Sequence, residues 1–230
     1  MTSKKLFIHI PKNAGLTIRH YLKDKIVVCG KHDFTSNYSQ RLTSTMNKFN
    51  EHPGYEHARW RDVGPQLQQL KSFAVIRNPW MKVGSRFIYG LRNMERGRLS
   101  TNYMANTFDE FLEERHKYAN NEFYWHRAIH GWYPQLDHVT DRQEKIRCDI
   151  LRFEQFNKDI GEYFNLTQPI KSRNAFHRGN KDPQWAKWDI DYKTLYNDKT
   201  IQIIADWYKV DIDTFGFDFD TTATRNTWKI

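Results

Sequence analysis

Residues 6–22 read LFIHIPKNAGLTIRHYL, and this stretch decides the fold. Lys5 to Ile10 reads as a strand, Pro11 to Gly15 breaks it, and Leu16 to Leu22 reads as the start of a helix. A strand that runs through a tight loop into a helix is a geometry for holding phosphate. Amides at the helix N-terminus point at the anion, and the helix dipole favours it. Gly15 allows a close backbone approach, Lys12 adds a point charge and Thr17 adds a hydroxyl. An ordinary strand–turn–helix connection with Lys12 in water fits the same residues. The loop is not G-x-x-x-x-G-K-[ST], because Lys12 precedes Gly15.

Working outward, Ile26 to Cys29 reads as a second strand, with helices expected near Gln40 to Phe49 and Gly64 to Leu70. Ser72 to Arg77 is a compact apolar strand, and Pro79 is suited to open a helix running to about Met94. Thr107-x-x-Glu110 is a capping box, so a helix should begin there. Further helices are expected over Asn121 to His130, Gln155 to Phe164 and Lys193 to Lys209, with a strand over Cys148 to Phe153. Strands separated by helices predict an α/β fold: a central, mostly parallel sheet flanked by helices, in a single domain over 1–230.

A second stretch bears on chemistry. FAVIRNPWMKVGSRF, residues 73–87, puts Arg77 at the carboxyl end of a strand, where α/β folds bind ligands. Ser85 follows in the helix. A guanidinium fork suits a phosphate, and a helix hydroxyl can share it. Read alone, the stretch equally suits a structural ion pair and a small packing residue.

Composition bounds the rest. The chain has 230 residues, 39% hydrophobic and 27% charged, which is enough to bury a core and excludes global disorder. Lys and Arg total 36 against 27 Asp and Glu, a net +9. That excess fits an anionic ligand, whether nucleotide, nucleic acid or polyanion, and also a solvated basic surface. The two cysteines, Cys29 and Cys148, make neither a disulfide framework nor a zinc pair and are expected as buried thiols. The ten histidines show no metal-ligand spacing, so no metal is expected. No apolar run is long enough to span a membrane or act as a signal peptide, which predicts a soluble, cytoplasmic or otherwise intracellular protein.

Taken as a pair, IPKNAGLT (10–17) and VIRNPWMKVGS (75–85) resemble the two nucleotide motifs of the PAPS-dependent sulfotransferase superfamily, in order and in spacing. PAPS is 3′-phosphoadenosine 5′-phosphosulfate. GWYPQLDHVTD (131–141), CDILRFEQFNKDIGEYF (148–164) and WYKVDIDTFGFDF (207–219) look like later segments of its carbohydrate branch. The resemblance implies a P-loop-like nucleotide-binding fold, PAPS as co-substrate and adenosine 3′,5′-bisphosphate as product. It implies that Pro11, Lys12, Asn13, Ala14, Gly15, Leu16 and Thr17 hold the 5′-phosphosulfate, and that Lys12 stabilises the leaving phosphate. Arg77 and Ser85 would hold the 3′-phosphate, and Arg173, with Asn174 and Arg178, would close over the nucleotide. Leu16 departs from the family pattern, which usually has Thr there, so one hydroxyl is lost.

The resemblance also implies a catalytic base before the Arg77 strand. His57, twenty positions earlier, best matches it, with His32 and His52 as rivals. Imidazole suits the task because its pKa lies near working pH. Gln135 is read as lining the acceptor cleft or capping a loop, and Glu154 as structural. The expected partner is a hydroxyl acceptor, with a glycan favoured over a small alcohol, a lipid headgroup or a tyrosine; no nucleic acid and no membrane are expected. Two other classes stand beside this reading: a P-loop-type nucleotide kinase and a basic nucleic-acid-binding module.

Overall fold

The structure is a computed structural model that describes residues 4–35, 37–95, 97, 105–117, 123, 131–170 and 190–220. Four short strands form its sheet: β1 (Lys5–Ile8), β2 (Ile26–Val28), β3 (Ser72–Ile76) and β4 (Asp149–Arg152). Their order is β2-β1-β3-β4, and all three pairings are parallel. The expected α/β architecture is therefore present.

Strand periodicity explains how both faces are covered. Leu6, Ile8, Ala74, Ile76 and Ile150 point into one apolar cluster, and Phe7, Phe73, Val75 and Leu151 into another. The second face is covered by α1 (Gly15–Tyr21), through Ile18, and by Ile160 and Phe164 of the Phe156–Phe164 helix. The first face carries the larger cluster, which includes Val83 and Phe87, Phe111 and Leu112, and Ile204 and Phe215. In chain order the other α-helices among the described residues are α2 (Tyr38–Lys48), α3 (Pro65–Gln68), α4 (Pro79–Glu95), α5 (Phe108–Lys117), α6 (Gln135–Val139), α7 (Phe156–Phe164, the helix just named), α8 (Asp198–Trp207) and α9 (Lys209–Phe215).

The capping box at α5 forms as read. Thr107 Oγ1 accepts from the Glu110 amide at 3.2 Å, and Glu110 Oε2 accepts from the Thr107 amide at 3.2 Å. Two elements differ from expectation. The segment read as one helix over Lys193 to Lys209 is a 3-10 turn (Tyr192–Leu195), then α8, then α9. Asn197 restarts the chain as a helix, because its side chain accepts from the Thr200 amide in a capping box that 3.6-residue periodicity does not reveal. Helix α6 was also not anticipated. It is only five residues long and is capped from a distance: Asp211 of α9 accepts from the Gln135 and Leu136 amides, both at 2.8 Å. The expected Asn121 to His130 helix lies outside the described residues, apart from Phe123. Cys29 and Cys148 are buried free thiols.

Candidate active site

The chain leaves β1 toward β2 on one side and later returns to β3 on the other side of β1. The carboxyl ends of β1 and β3 thus flank a topological switch point, the usual ligand crevice of an open parallel sheet. Lys12 to Thr17 follows β1, and Arg77 follows β3, so the sheet order brings the two sequence motifs together.

The loop after β1 is locally strained. Lys12 has φ 69° and Ala14 φ 62°, a left-handed conformation uncommon for residues with a Cβ. Asn13 between them is buried and holds the loop down. Its Nδ2 donates to the Val75 carbonyl and to Gln135 Oε1, each at 2.7 Å. Ala14 stands at the N-cap of α1 and supplies no capping side chain, so the first amides of that helix are left to another partner. Helix α1 is only seven residues long, so its dipole is short and the nearby cations carry more of the field.

Arg77 closes the crevice from the β3 side. Its Nη1 donates to the Lys12 carbonyl at 3.0 Å, its guanidinium lies 4.1 Å from the centre of the Phe153 ring, and its Nε is buried without a hydrogen-bond partner. Burial lowers the Arg77 pKa to about 10, against the opposing pull of Glu154. Burial also lowers Lys12 to about 7, and the positive charges of Arg77, Arg86 and Arg92 add to the shift. The Lys12 ammonium lies 4.0 Å from the centre of the Tyr89 ring. Cations crowded at this cost are relieved by an anion among them.

Gln135 has no exposed surface, so it does not line a cleft. It ties the site together instead. Besides Asn13, its Oε1 accepts from the Arg77 amide at 2.9 Å, and its Nε2 donates to the Arg77 carbonyl at 2.7 Å. Glu154 is likewise structural toward the backbone, accepting from the Asn78 amide at 2.7 Å. Asn78 Oδ1 in turn accepts from the Trp80 and Met81 amides, which starts α4.

His57 ends a 3-10 turn (Tyr55–His57) and packs on the loop from the β1 side. Its Nδ1 lies 2.8 Å from the His9 carbonyl, and the two imidazole rings are 4.3 Å apart. A carbonyl can only accept, so in the neutral ring Nδ1 carries the hydrogen and Nε2 keeps its lone pair. Burial is the main cause that lowers the His57 pKa, which favours this neutral form. His32 and His52 are both exposed, and His52 Nδ1 accepts from the Gly54 amide in a turn.

Sequence reading missed His9. It is buried at the end of β1, and its pKa is pushed well below the ordinary value by burial and by His57. A Cβ on Gly15 would fall inside the His9 ring, so Gly15 is needed for that packing as well as for backbone approach. The signal was its place between Ile8 and Ile10, as the polar residue where the strand ends. Pro11 and Thr17 are buried, whereas Leu16 is 54% exposed beside them. Ser85 is half-buried on α4, and Arg173, Asn174 and Arg178 lie outside the described residues.

A loop carrying Lys12 and a strand-end guanidinium at the switch point of a parallel sheet define the class: an α/β protein with a positively charged crevice. Residues 2–218 match the family described as the Sulfotransferase family, and the chain belongs to it. Its general activity is therefore sulfuryl transfer from a donor to an acceptor. A solved structure, the sulfotransferase from Alicyclobacillus acidocaldarius, is similar at TM-score 0.42 and 14% identity, over 95% of this chain and 98% of that one. No curated protein matches the chain. Among the described residues, no group of three or more His, Cys, Asp and Glu is placed to hold a metal ion, and no helix is long and apolar enough to cross a membrane.

Proposed function

We propose that this sulfotransferase uses PAPS and transfers its sulfuryl group to a hydroxyl, preferably of a carbohydrate. The observation that carries the reading is the joining of Lys12 and Arg77 at the switch point, with the Arg77 guanidinium bonded to the Lys12 carbonyl. The chemistry of the crevice suits a nucleotide with two anionic ends. Uncapped amides, Lys12 and Thr17 stand on the β1 side, and Arg77 with an unpaired Nε stands on the β3 side.

In this reading Pro11 to Thr17 take the 5′-phosphosulfate, with backbone amides compensating for the hydroxyl lost at Leu16. Arg77 and Ser85 take the 3′-phosphate, and Arg173 closes over the nucleotide. His57 Nε2 accepts the proton of the acceptor hydroxyl as its oxygen attacks sulfur. The S–O bond to the 5′-phosphate breaks, adenosine 3′,5′-bisphosphate leaves, and Lys12 offsets the charge developing on the phosphate oxygen. Positioning and electrostatics supply most of the rate.

A cavity of about 380 Å³ lined by Tyr133, Pro134, Asp137, Asp206 and Trp207 supports a carbohydrate acceptor. Aromatic faces beside carboxylates suit the apolar faces and hydroxyls of a sugar ring.

The test is a thermal-shift comparison of adenosine 3′,5′-bisphosphate with AMP, ATP and an oligonucleotide, followed by radiolabelled PAPS transfer to a panel of glycans and small alcohols. The reading requires the bisphosphate to stabilise most and a glycan to take the label. Equal shifts from the bisphosphate and AMP would overturn the donor assignment, and label only on small alcohols would overturn the acceptor class.

A further inference from the structure

The Lys12 ammonium is seated on an aromatic ring. It lies 4.0 Å from the centre of the Tyr89 ring, and among the described residues no carboxylate pairs with it and no oxygen accepts from it. The charged groups that act on it are all cations: Arg77 at the end of β3, and Arg86 and Arg92 on α4. Burial and these three guanidiniums together lower its pKa to about 7. The face of the Tyr89 ring is the neighbour that favours the charged form, because its π-electrons attract a cation.

A ring does this without adding a negative charge. A carboxylate in the same place would hold Lys12 more strongly, but it would cancel the field that draws an anion and would repel the anion itself. Arg77 is treated in a similar way, with its guanidinium 4.1 Å from the centre of the Phe153 ring. An ammonium has three N–H donors, and a ring covers only one side of it, so donors remain for an arriving oxyanion.

The contact is built from fixed parts. The Lys12 carbonyl accepts from Arg77, and the backbone of Lys12 is held at φ 69°, which sets where its side chain starts. Tyr89 lies on α4, four residues after Ser85, so both belong to one face of that helix. Its ring is 41% exposed, so it is not there to fill the core.

We infer that Tyr89 is a positioning residue for sulfuryl transfer: its ring face holds the Lys12 ammonium, still charged, in the crevice where the anionic donor arrives. This rests on the reading of Lys12 as the residue that meets the donor. Without the ring, desolvation and the three arginines act on Lys12 unopposed, and it gives up its proton at a lower pH.

The experiment compares the full chain with Tyr89→Leu, which removes the ring, and Tyr89→Phe, which keeps its face. Acetylation by acetic anhydride from pH 5 to 9, read at Lys12 by mass spectrometry, gives the titration midpoint of Lys12 with no nucleotide present. Tyr89→Leu should lower that midpoint by about half a unit to one and a half units, and Tyr89→Phe should restore it. Calorimetry with adenosine 3′,5′-bisphosphate supplies the second readout. Tyr89→Leu should weaken binding about three- to thirtyfold at pH 8 and agree with the unaltered chain within about twofold at pH 5, where Lys12 is charged in both. An unchanged midpoint in Tyr89→Leu overturns the inference, as does a Tyr89→Phe protein that behaves like Tyr89→Leu. A loss of affinity equal at pH 5 and pH 8 also overturns it, because a merely misplaced side chain acts at every pH. A lowered midpoint with no bisphosphate binding in any of the three proteins would instead sink the donor assignment and leave the hold of Tyr89 on Lys12 standing.

Discussion

The Asn13 side-chain amide donates to the Gln135 carbonyl oxygen over 2.7 Å, joining the loop after β1 to α6 across 122 positions of sequence. The same oxygen accepts from the Arg77 amide, so one side chain holds the loop after β1 and the end of β3 in register. Gln135→Ala should leave three buried backbone or side-chain groups without their partner, at about 1–3 kcal/mol for each that stays unsatisfied. A lowered melting temperature together with weakened bisphosphate binding is expected. If binding is unchanged in the folded variant, the register is set elsewhere.

Under the proposed function, Lys12 should make the donor affinity pH-dependent. Its pKa is lowered to about 7 in the free protein, chiefly by burial, and an anion beside it favours the charged form. Above pH 7 the ligand must therefore bring a proton with it, and affinity for adenosine 3′,5′-bisphosphate should fall as pH rises from 7 to 9. The limiting slope is about one log unit per pH unit. Phosphate ionisation, near pH 6, does not interfere in this window. Lys12→Arg should flatten the curve, because arginine stays charged throughout. Calorimetry across the window checks both.

His57→Ala should lower kcat by about 10²–10⁴-fold with nucleotide affinity nearly unchanged. His32→Ala and His52→Ala, at exposed positions, should cost much less. The lowered His57 pKa sets the sign of its own limb of the pH profile: the base stays neutral at pH 7, and its contribution to kcat is lost only on the acid side, below the usual imidazole value, while any alkaline fall belongs to Lys12. Steady-state kinetics from pH 5 to 8 on a verified acceptor test this; a folded His57→Ala protein with most of its kcat would move the search to His32.

Gly15→Ala drives a methyl group into the His9 ring. Overpacking of a buried site costs about 1–3 kcal/mol, so the melting temperature should drop. His9→Ala in the same chain should recover part of that loss by opening the space. A double variant no more stable than Gly15→Ala would show that the clash is not what Gly15 avoids.

Much of this molecule was legible in the order of its residues. Apolar runs at Lys5, Ile26, Ser72 and Cys148, separated by helical stretches, are enough for a parallel sheet, because period-2 burial and βαβ crossovers are local consequences of the chain. The loop with Lys12 and Gly15, and Arg77 at a strand end, were visible for the same reason. The α8–α9 break was not, since it depends on how Asn197 and Thr200 cap one another rather than on apolar period. Nor was α6, whose N-terminus is capped by an aspartate 76 positions away.

By itself, the sequence determined the four strands, most of the described helices, the basic excess and the two motifs at 10–17 and 75–85, all of which are properties of neighbouring residues. Only the tertiary structure decided that β1 and β3 lie side by side, that Gln135 is a buried strut rather than a cleft residue, and that His9 sits under Gly15 against His57. It alone seated the Lys12 ammonium on the Tyr89 ring. These are pairings between residues far apart in the chain. They are set by which surfaces bury together once the sheet has formed, and burial then shifts the charge on Lys12 and His57 to values that no linear reading contains.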